Sequence, residues 1–480
     1  MPDSSLRRCR IAVWPALFAM AGCSSPSDVV HDGSDGALDD TGDADGGFVP
    51  PPPLTDDQGR AVYYVGVNVA ESSKQAADFL PPLTDDDYAR LAGWGVTLVR
   101  LLIFWEAIEP ARGVWDERYL AAVRGELDRL QAHGFDVLLD MHQDVFGRGF
   151  GFAGAPRWAC DEANYATFRP QEPWFMNYFT EEVKRCFDAF WNDRTLWDEY
   201  RAAWRLAAAH LADHPAVIGA DLMNEPFSGS LTGAAFELDD LAPFYADIAA
   251  AFDGLAVRPR LFVEPSVAYD FEPRTYLPEF LVPQVFVPHY YPTFASSGIY
   301  AGHEADVAAD LRDMAGDAAH LGGPFVLGEF GLANDAADGP SYLAALVDGA
   351  LAVGGSAVVW DFSRGDPGAY ALLDPVGHPY PLAEALRRPY VHRLAGRLIS
   401  TTYDRRTRTV EATWEETGNA APTIIATPYG VDCPDTVITS PTDSESSYDI
   451  TPAGAGRAAI TVSPDIRVHT FRITLVCPGG

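Results

Sequence analysis

The sequence predicts an α/β protein: a (β/α)8 TIM barrel followed by a small C-terminal antiparallel β-sandwich. Eight short apolar, β-branched runs recur between residues 61 and 360. Longer stretches of helical period lie between several of them, the pattern of a parallel sheet buried on both faces. Beyond about Gly396 the period falls to two, and turn-rich joins separate the runs.

Taken in order, Arg7, Arg8 and Arg10 precede an apolar run over 11–20 and then Ala21-Gly22-Cys23. A basic start, an apolar run too short to span a bilayer and small residues at the cut predict an export signal over residues 1–22. Small residues before a cysteine also resemble a bacterial lipobox. That resemblance implies lipidation of Cys23 and a cell-surface anchor; ordinary cleavage, leaving a secreted protein, is the alternative. Residues 23–59 contain no Lys or Arg but seven Asp (28, 32, 35, 39, 40, 43 and 45) ahead of Asp56 and Asp57. Such a stretch buries too little apolar area to offset its ordering entropy, so it reads as an acidic tether closed by the prolines at 50–53.

The barrel is expected over residues 60–395, with strands at 61–68, 98–103, 137–141, 217–223, 261–263, 285–287, 325–327 and 357–360. Helices are expected at 119–132, 198–213 and 241–255. An open doubly wound sheet is the competing arrangement, but no Gly-rich phosphate turn follows the first strand. Residues 396–480 supply the sandwich, with runs at 398–403, 409–414, 423–427, 458–462 and 467–477. No exposed aromatic row is evident there, so it reads as a cap on the barrel rather than a carbohydrate-binding module.

A net charge of −34 opposes binding to nucleic acid or to an anionic bilayer. Setting aside Cys9 and Cys23 leaves Cys160, Cys186, Cys433 and Cys477, an even number in an oxidising compartment. The sequence-local pairings are Cys160–Cys186 and Cys433–Cys477, with other connectivities open. The spacing suits no metal, and neither a cofactor nor an obligate protein partner is implied.

In a barrel the chemistry sits where strands end, at the C-terminal rim. The rim positions here read Arg100; His142-Gln143-Asp144; Asn224-Glu225-Pro226; His289-Tyr290-Tyr291-Pro292; Glu329-Phe330-Gly331; and Trp360-Asp361. Retaining glycoside hydrolysis needs one carboxylic acid to protonate the leaving oxygen and one carboxylate to attack the anomeric carbon, about 5–5.5 Å apart. Glu225 and Glu329, on strands facing each other across the rim, fit those roles as acid/base and nucleophile. Burial and a neighbouring charge are expected to raise Glu225, while Arg100 and Tyr291 keep Glu329 ionised. Asn224 suits the sugar 2-hydroxyl, and Trp360 offers a flat apolar face. Singly, each glutamate reads as a helix-start carboxylate, His142 and His289 as core histidines and Trp360 as core; their joint placement at successive strand ends favours a site.

These segments resemble the motif set of glycoside hydrolase family 5, and within it the endoglycoceramidases. The most specific parts are Met141-His142-Gln143-Asp144-Val145, Asp221-Leu222-Met223-Asn224-Glu225-Pro226-Phe227 and Leu327-Gly328-Glu329-Phe330-Gly331. The resemblance runs from about Gly66 to the C-terminus and implies a C-terminal sandwich, Glu225 as acid/base and Glu329 as nucleophile. It also implies that Lys74 and Asp144 contact the glucose joined to ceramide. Lys74 is one of only two lysines, and its compact ammonium suits a narrow sugar pocket. Ser266 departs from the family pattern, which places Gln there at a sugar-contacting position.

The expected function is hydrolysis of the bond between the glycan headgroup and ceramide of a glycolipid presented in membranes or micelles. Residues 173–179 are candidates for an apolar trough or for a packed insertion, and 145–152 for a glycine-hinged loop at the mouth. The alternatives are a glucosylceramidase or steryl-glucosidase, an endogalactosylceramidase, an endoglucanase and, from another class, a non-catalytic glycan-binding lipoprotein.

Overall fold

The computed structural model describes residues 48–280, 282–296, 298–429 and 435–477. Eight parallel strands form the barrel: β1 (Val65–Val69), β2 (Leu98–Ile103), β3 (Asp136–Met141), β4 (Val217–Asp221), β5 (Arg260–Val263), β6 (Gln284–Phe286), β7 (Val326–Leu327) and β8 (Ser356–Val359). Each pairs with its sequence neighbour from β1 to β6, β8 pairs with both β1 and β7, and parallel bridges Phe286–Phe325 and His289–Glu329 join β6 to β7. The cylinder therefore has no open edge.

Side chains alternate across each strand, so every second residue points inward. Leu98, Leu138, Phe262, Val285, Val326 and Val358 form an apolar layer inside the barrel. Two residues further along the same strands stand Arg100, Asp140 and Glu264, and Trp360 follows β8, so charged groups gather above the apolar layer on β2, β3 and β5. Gly66 and Gly219 make room for this packing: a Cβ on Gly66 would lie 2.9 Å from the Leu98 carbonyl oxygen, and one on Gly219 would lie 2.3 Å from the edge of the Phe262 ring.

The helices follow the same logic on the outer face. Glu117–Ala132 buries Tyr119, Leu120, Val123, Leu127 and Leu130, an i, i+3/i+4 stripe, and Asp116 caps its start by accepting from the Arg118 N–H. Arg194–Leu211 buries Trp197, Tyr200 and Trp204 in the same way. The stretch expected as one helix over 241–255 is broken into a π turn (Glu237–Leu241), a helix (Ala242–Ala249) and a 3-10 turn (Ala250–Phe252). No helix among the described residues is long and apolar enough to cross a membrane.

Two antiparallel sheets follow the barrel, one of six strands and one of four. The six-stranded sheet contains Leu54–Thr55 and Ala61–Val62, the latter paired with Tyr390–Leu394. The run expected as one strand over 61–68 is thus two: its first residues serve the sandwich and only Val65 onward enters the barrel. Leu54, Val62 and Tyr64 pack on the apolar layer from its N-terminal side, which is the physical reason for the split. The sandwich sheet likewise starts at Tyr390, ahead of the expected 396. Cys160 and Cys186 are bonded, with Cα atoms 5.4 Å apart; the expected Cys433–Cys477 pair involves Cys433, outside the described residues, as are Cys23 and the signal and most of the tether.

The inner apolar layer gives a test of this packing. Gly219→Ala drives a methyl group against the edge of the Phe262 ring and to 2.8 Å from the Arg260 carbonyl oxygen. The variant is expected to lose about 1–3 kcal/mol of stability, read from its denaturant midpoint.

Candidate active site

The charged groups above the apolar layer are organised by Arg100, which is fully buried. Its Nε donates to Asp221 (3.0 Å), Nη1 to Asn68 (3.0 Å) and Glu329 (2.6 Å), and Nη2 to Asn224 and Glu264 (3.0 Å each). Asp140 lies 3.1 Å away. One planar fork therefore holds groups from β1, β3 and β4 and from the segments that follow β4, β5 and β7. Burial pushes against its charge, but Asp140, Asp221, Glu329 and Glu264 outweigh this and hold Arg100 well above its ordinary pKa. Asp140, Asp221 and Glu264 have a donor set that a cation would suit; here the guanidinium fills that role.

Glu329 accepts from Arg100 through Oε1 and from the Tyr291 hydroxyl through Oε2 (3.1 Å). Glu225 faces it. His289 Nδ1 lies 3.1 Å from Glu225 Oε1 and 3.6 Å from Glu329 Oε2, so these oxygens are no further apart than those two lengths end to end. Glu225 takes a positive φ of 44°, a conformation uncommon for a side-chain-bearing residue. Its N–H donates to Glu264 (2.8 Å), and Gln143 Nε2 donates to the carbonyls of both Asn224 and Glu225 (3.0 Å each). Strain at this residue is thus held by two buried side chains.

The shifts of the two carboxyls run in the opposite direction to those expected from sequence. Burial raises Glu225, but the hydrogen bond and charge of His289 outweigh it and hold the carboxyl below its ordinary value. Glu329 is raised, by burial first and by Glu225, against His289 and Arg100. His289 itself is disfavoured by burial yet held well above the usual range, chiefly by Glu264 and Glu329. The protein thus places an imidazolium between the two carboxyls, a feature not legible from burial alone.

On the neighbouring wall, Lys74 Nζ lies 2.7 Å from Asp144 and 4.3 Å from the centre of the Trp360 ring. Burial opposes its charge, but Asp144 and Glu71 raise its pKa; Asp144, raised by burial, is pulled down further by Lys74. His142 binds Asp140 (2.7 Å), approaches Asp144 (3.5 Å) and stacks on Trp360 at 5.7 Å and 17°. Behind Trp360, Asp361 accepts from the Glu71 N–H and the Ser363 hydroxyl (2.9 Å each), tying Trp360 to the helix Glu71–Gln75 that carries Lys74.

The site residues expected from sequence are therefore brought together: Lys74, Arg100, His142, Asp144, Asn224, Glu225, His289, Tyr291, Glu329 and Trp360; Tyr290, also at the rim, turns its hydroxyl away to Asp310. Sequence reasoning missed Asp140, Asp221, Glu264 and Asp270. The first two carried a signal, as acids inside otherwise apolar strands. The Ser266 N–H donates to the buried Glu237 (2.8 Å), and its hydroxyl caps the turn Val267–Asp270 by accepting from the Ala268 N–H. Residues 173–179 are in part packed, with Asn177 and Tyr178 buried, and in part open, with Trp174 46% and Phe179 51% exposed. Tyr178 and Phe179 both contact Phe227, two residues beyond Glu225. The loop over 145–152 runs through positive φ at Val145, Phe146, Gly147 and Gly151, with one 3-10 turn between.

A closed eight-stranded parallel barrel with a buried carboxyl pair on β4 and β7 ends, gripped by Arg, His and Tyr, defines a glycoside hydrolase. The family model for cellulase (glycosyl hydrolase family 5) matches residues 56–366, and the chain belongs to that family. Endoglycoceramidase I of Rhodococcus hoagii (strain 103S) is 30% identical over 265 residues, 54% of this chain and 52% of that protein. The chain spans at most about half the length of the curated relatives it matches. Endo-glycoceramidase II from Rhodococcus sp. as its lactosyl-enzyme intermediate is 30% identical, with a TM-score of 0.78 over 89% of this chain and 100% of that one. Its ganglioside GM3 complex is 29% identical, with a TM-score of 0.79 over the same shares.

Two measurements follow. Arg100→Leu leaves Asp140, Asp221, Glu264 and Glu329 facing one another in the barrel and is expected to cost about 3–5 kcal/mol in denaturant unfolding. Asp361 is pushed up to about 7, by burial first, from an ordinary 3.8. Its contribution to stability is therefore full below about pH 4 and lost as the pH rises through about 7. Asp361→Asn should gain on the wild type in thermal midpoint across that window, and parallel curves would show that Asp361 does not titrate there.

Proposed function

We propose that the protein is a retaining endo-β-glycosidase that cleaves between the glycan headgroup and the ceramide of glycosphingolipids. The observation that carries this reading is the carboxyl pair shared by His289 beside a sugar-binding wall of Lys74, Asp144, His142 and Trp360. Its likeness to the two endoglycoceramidases supports the substrate class.

In this reading Glu329 attacks the anomeric carbon, its oxygens aimed by Arg100 and Tyr291. Glu225 protonates the glycosidic oxygen and then takes a proton from the water that hydrolyses the glycosyl-enzyme, so no other reactant is needed. Direct attack by Glu329 is supported by membership of family 5 and by the likeness to a relative solved as its lactosyl-enzyme intermediate. Asn224, fixed by Arg100 and by its own bond to the Gln143 carbonyl (3.0 Å), is placed for the 2-hydroxyl. Lys74 donates to sugar hydroxyls from a charged pair too well compensated to lose its proton. The exposed rings of Trp174 and Phe179, joined to Glu225 through Phe227, form the apolar side for the ceramide.

Ser266 favours a second reading in which a shorter headgroup, a single sugar on ceramide, is taken, because no long amide reaches from that position towards a second sugar. Export through the N-terminal signal and anchoring through Cys23 would put the site at a membrane surface. Cys23→Ala would then release the protein from membranes.

The test is product analysis in detergent with GM3 ganglioside, glucosylceramide and a soluble cellulose derivative. Intact oligosaccharide plus ceramide from the ganglioside is the expected result. Turnover of glucosylceramide alone selects the single-sugar reading, cleavage of the cellulose derivative alone overturns both, and no turnover leaves a binding protein. Glu329→Gln should abolish turnover by several orders of magnitude while the fold, read by circular dichroism, is kept.

A further inference from the structure

Asp270 ends the short turn Val267–Asp270 that follows β5 and is only 4% exposed. Its carboxyl, that of Glu225 and a ring nitrogen of His289 all lie within 4.8 Å of one another. Its backbone carbonyl accepts from the Tyr291 N–H (2.8 Å), and the Tyr291 hydroxyl donates to Glu329. One residue thus touches Glu225 with its side chain and sets the position of a donor to Glu329 with its backbone. The turn is itself anchored by Glu237, which accepts from the Ser266 N–H and the Thr275 hydroxyl (2.8 Å each).

The charge count around this spot is unbalanced. His289 faces Glu225 (3.1 Å), Glu264 (3.3 Å) and Glu329 (3.6 Å) as well as Asp270, and Arg100 is already committed to Asp140, Asp221, Glu264 and Glu329. Among the described residues no Lys or Arg is within ion-pair distance of Glu225 or Asp270; the other groups acting on them include Asp144, whose charge is answered by Lys74, and the hydroxyls of Tyr178 and Tyr291. Two buried carboxyls this close, with part of one imidazolium between them, do not both ionise at neutral pH.

We propose that Asp270 and Glu225 share one proton, which makes Asp270 the positioning residue that keeps the acid/base supplied with the proton it gives to the leaving group. This rests on Glu225 being the acid/base of the proposed glycosidase. The proton passes through Glu225 to the glycosidic oxygen as the C–O bond breaks and Glu329 closes on the anomeric carbon. The water that opens the glycosyl-enzyme gives its hydroxyl to the sugar and its proton back to the pair. The directions of the two groups agree: Asp270 is held well above its ordinary value, by burial first and then by Glu225, while Glu225 is held low by His289. Such a pair releases its second proton at a higher pH than either carboxyl alone, so the alkaline limb of activity belongs to the pair.

The test compares wild type with Asp270→Asn on an alkyl β-lactoside, whose leaving group needs the proton, and on dinitrophenyl β-lactoside, whose leaving group does not. For the alkyl glycoside the alkaline limb of kcat/KM should move down by about one pH unit or more, with the loss in kcat rather than KM. The dinitrophenyl glycoside should show no such shift, and Asp270→Glu should restore the limb for the alkyl one. Coincident limbs on the alkyl glycoside, or an equal shift on both substrates, overturn the proposal. Infrared difference spectroscopy at neutral pH decides it without turnover: Glu225→Gln should contain one protonated carboxyl fewer than the wild type, and an unchanged number overturns the sharing. A wild type that releases no phenolate from the dinitrophenyl glycoside instead refutes the glycosidase reading, and the infrared comparison still decides whether the two carboxyls share a proton.

Discussion

The buried guanidinium of Arg100 is the constraint on which the rest of the site depends. A positive charge in the middle of a barrel is costly unless fully compensated, and here the compensation comes from four carboxylates and two amide oxygens on six segments of the cylinder. None of those groups could stay buried without the others. The network therefore fixes the relative heights of β1, β2, β3 and β4 and the ends of β5 and β7. Glu329 and Asn224, the two neighbours of the reacting centre it touches, inherit that rigidity.

A second layer of control is built on the first. Glu264 accepts from Arg100 through one oxygen and from the Glu225 N–H through the other, so the strained backbone at Glu225 is tied to the same guanidinium. His289 then spans Glu225, Glu264 and Glu329. The two reacting carboxyls are consequently not independent titrating groups. They belong to a cluster with more acids than cations, in which protons must be retained and their distribution is decided by hydrogen bonding as much as by burial.

The neighbouring wall acts on the reacting pair as well: Asp144 works to raise Glu225, and Glu329 works to raise Lys74. Lys74 and Asp144 neutralise each other, and their charges lie against the flat rings of His142 and Trp360. A polar hydroxyl-binding corner beside an apolar face suits a pyranose, which has both kinds of surface. Phe179 meets Phe227, two residues beyond Glu225, and Trp174 is exposed on the same short turn.

The barrel was legible in the amino-acid sequence because its strands are local: an apolar run closed by a turn signals itself, and seven of the eight expected strands need only small adjustments at their ends. The rim residues were legible for the same reason, since strand ends can be counted. The early strand at 61–62 was not, because its partner at Tyr390–Leu394 is more than three hundred residues away and no local pattern distinguishes a strand of the sandwich from one of the barrel. Asp140 and Asp221 stood out as charges within apolar strands, yet their purpose depends on Arg100 arriving from β2. Asp270 had no signal at all, since it lies in a turn whose direction is set by Glu237 from another segment. The sequence by itself determined the fold class and which residue types reach the rim; tertiary structure alone decided their ionisation, because a buried proton's position depends on distances among side chains that the chain order does not encode.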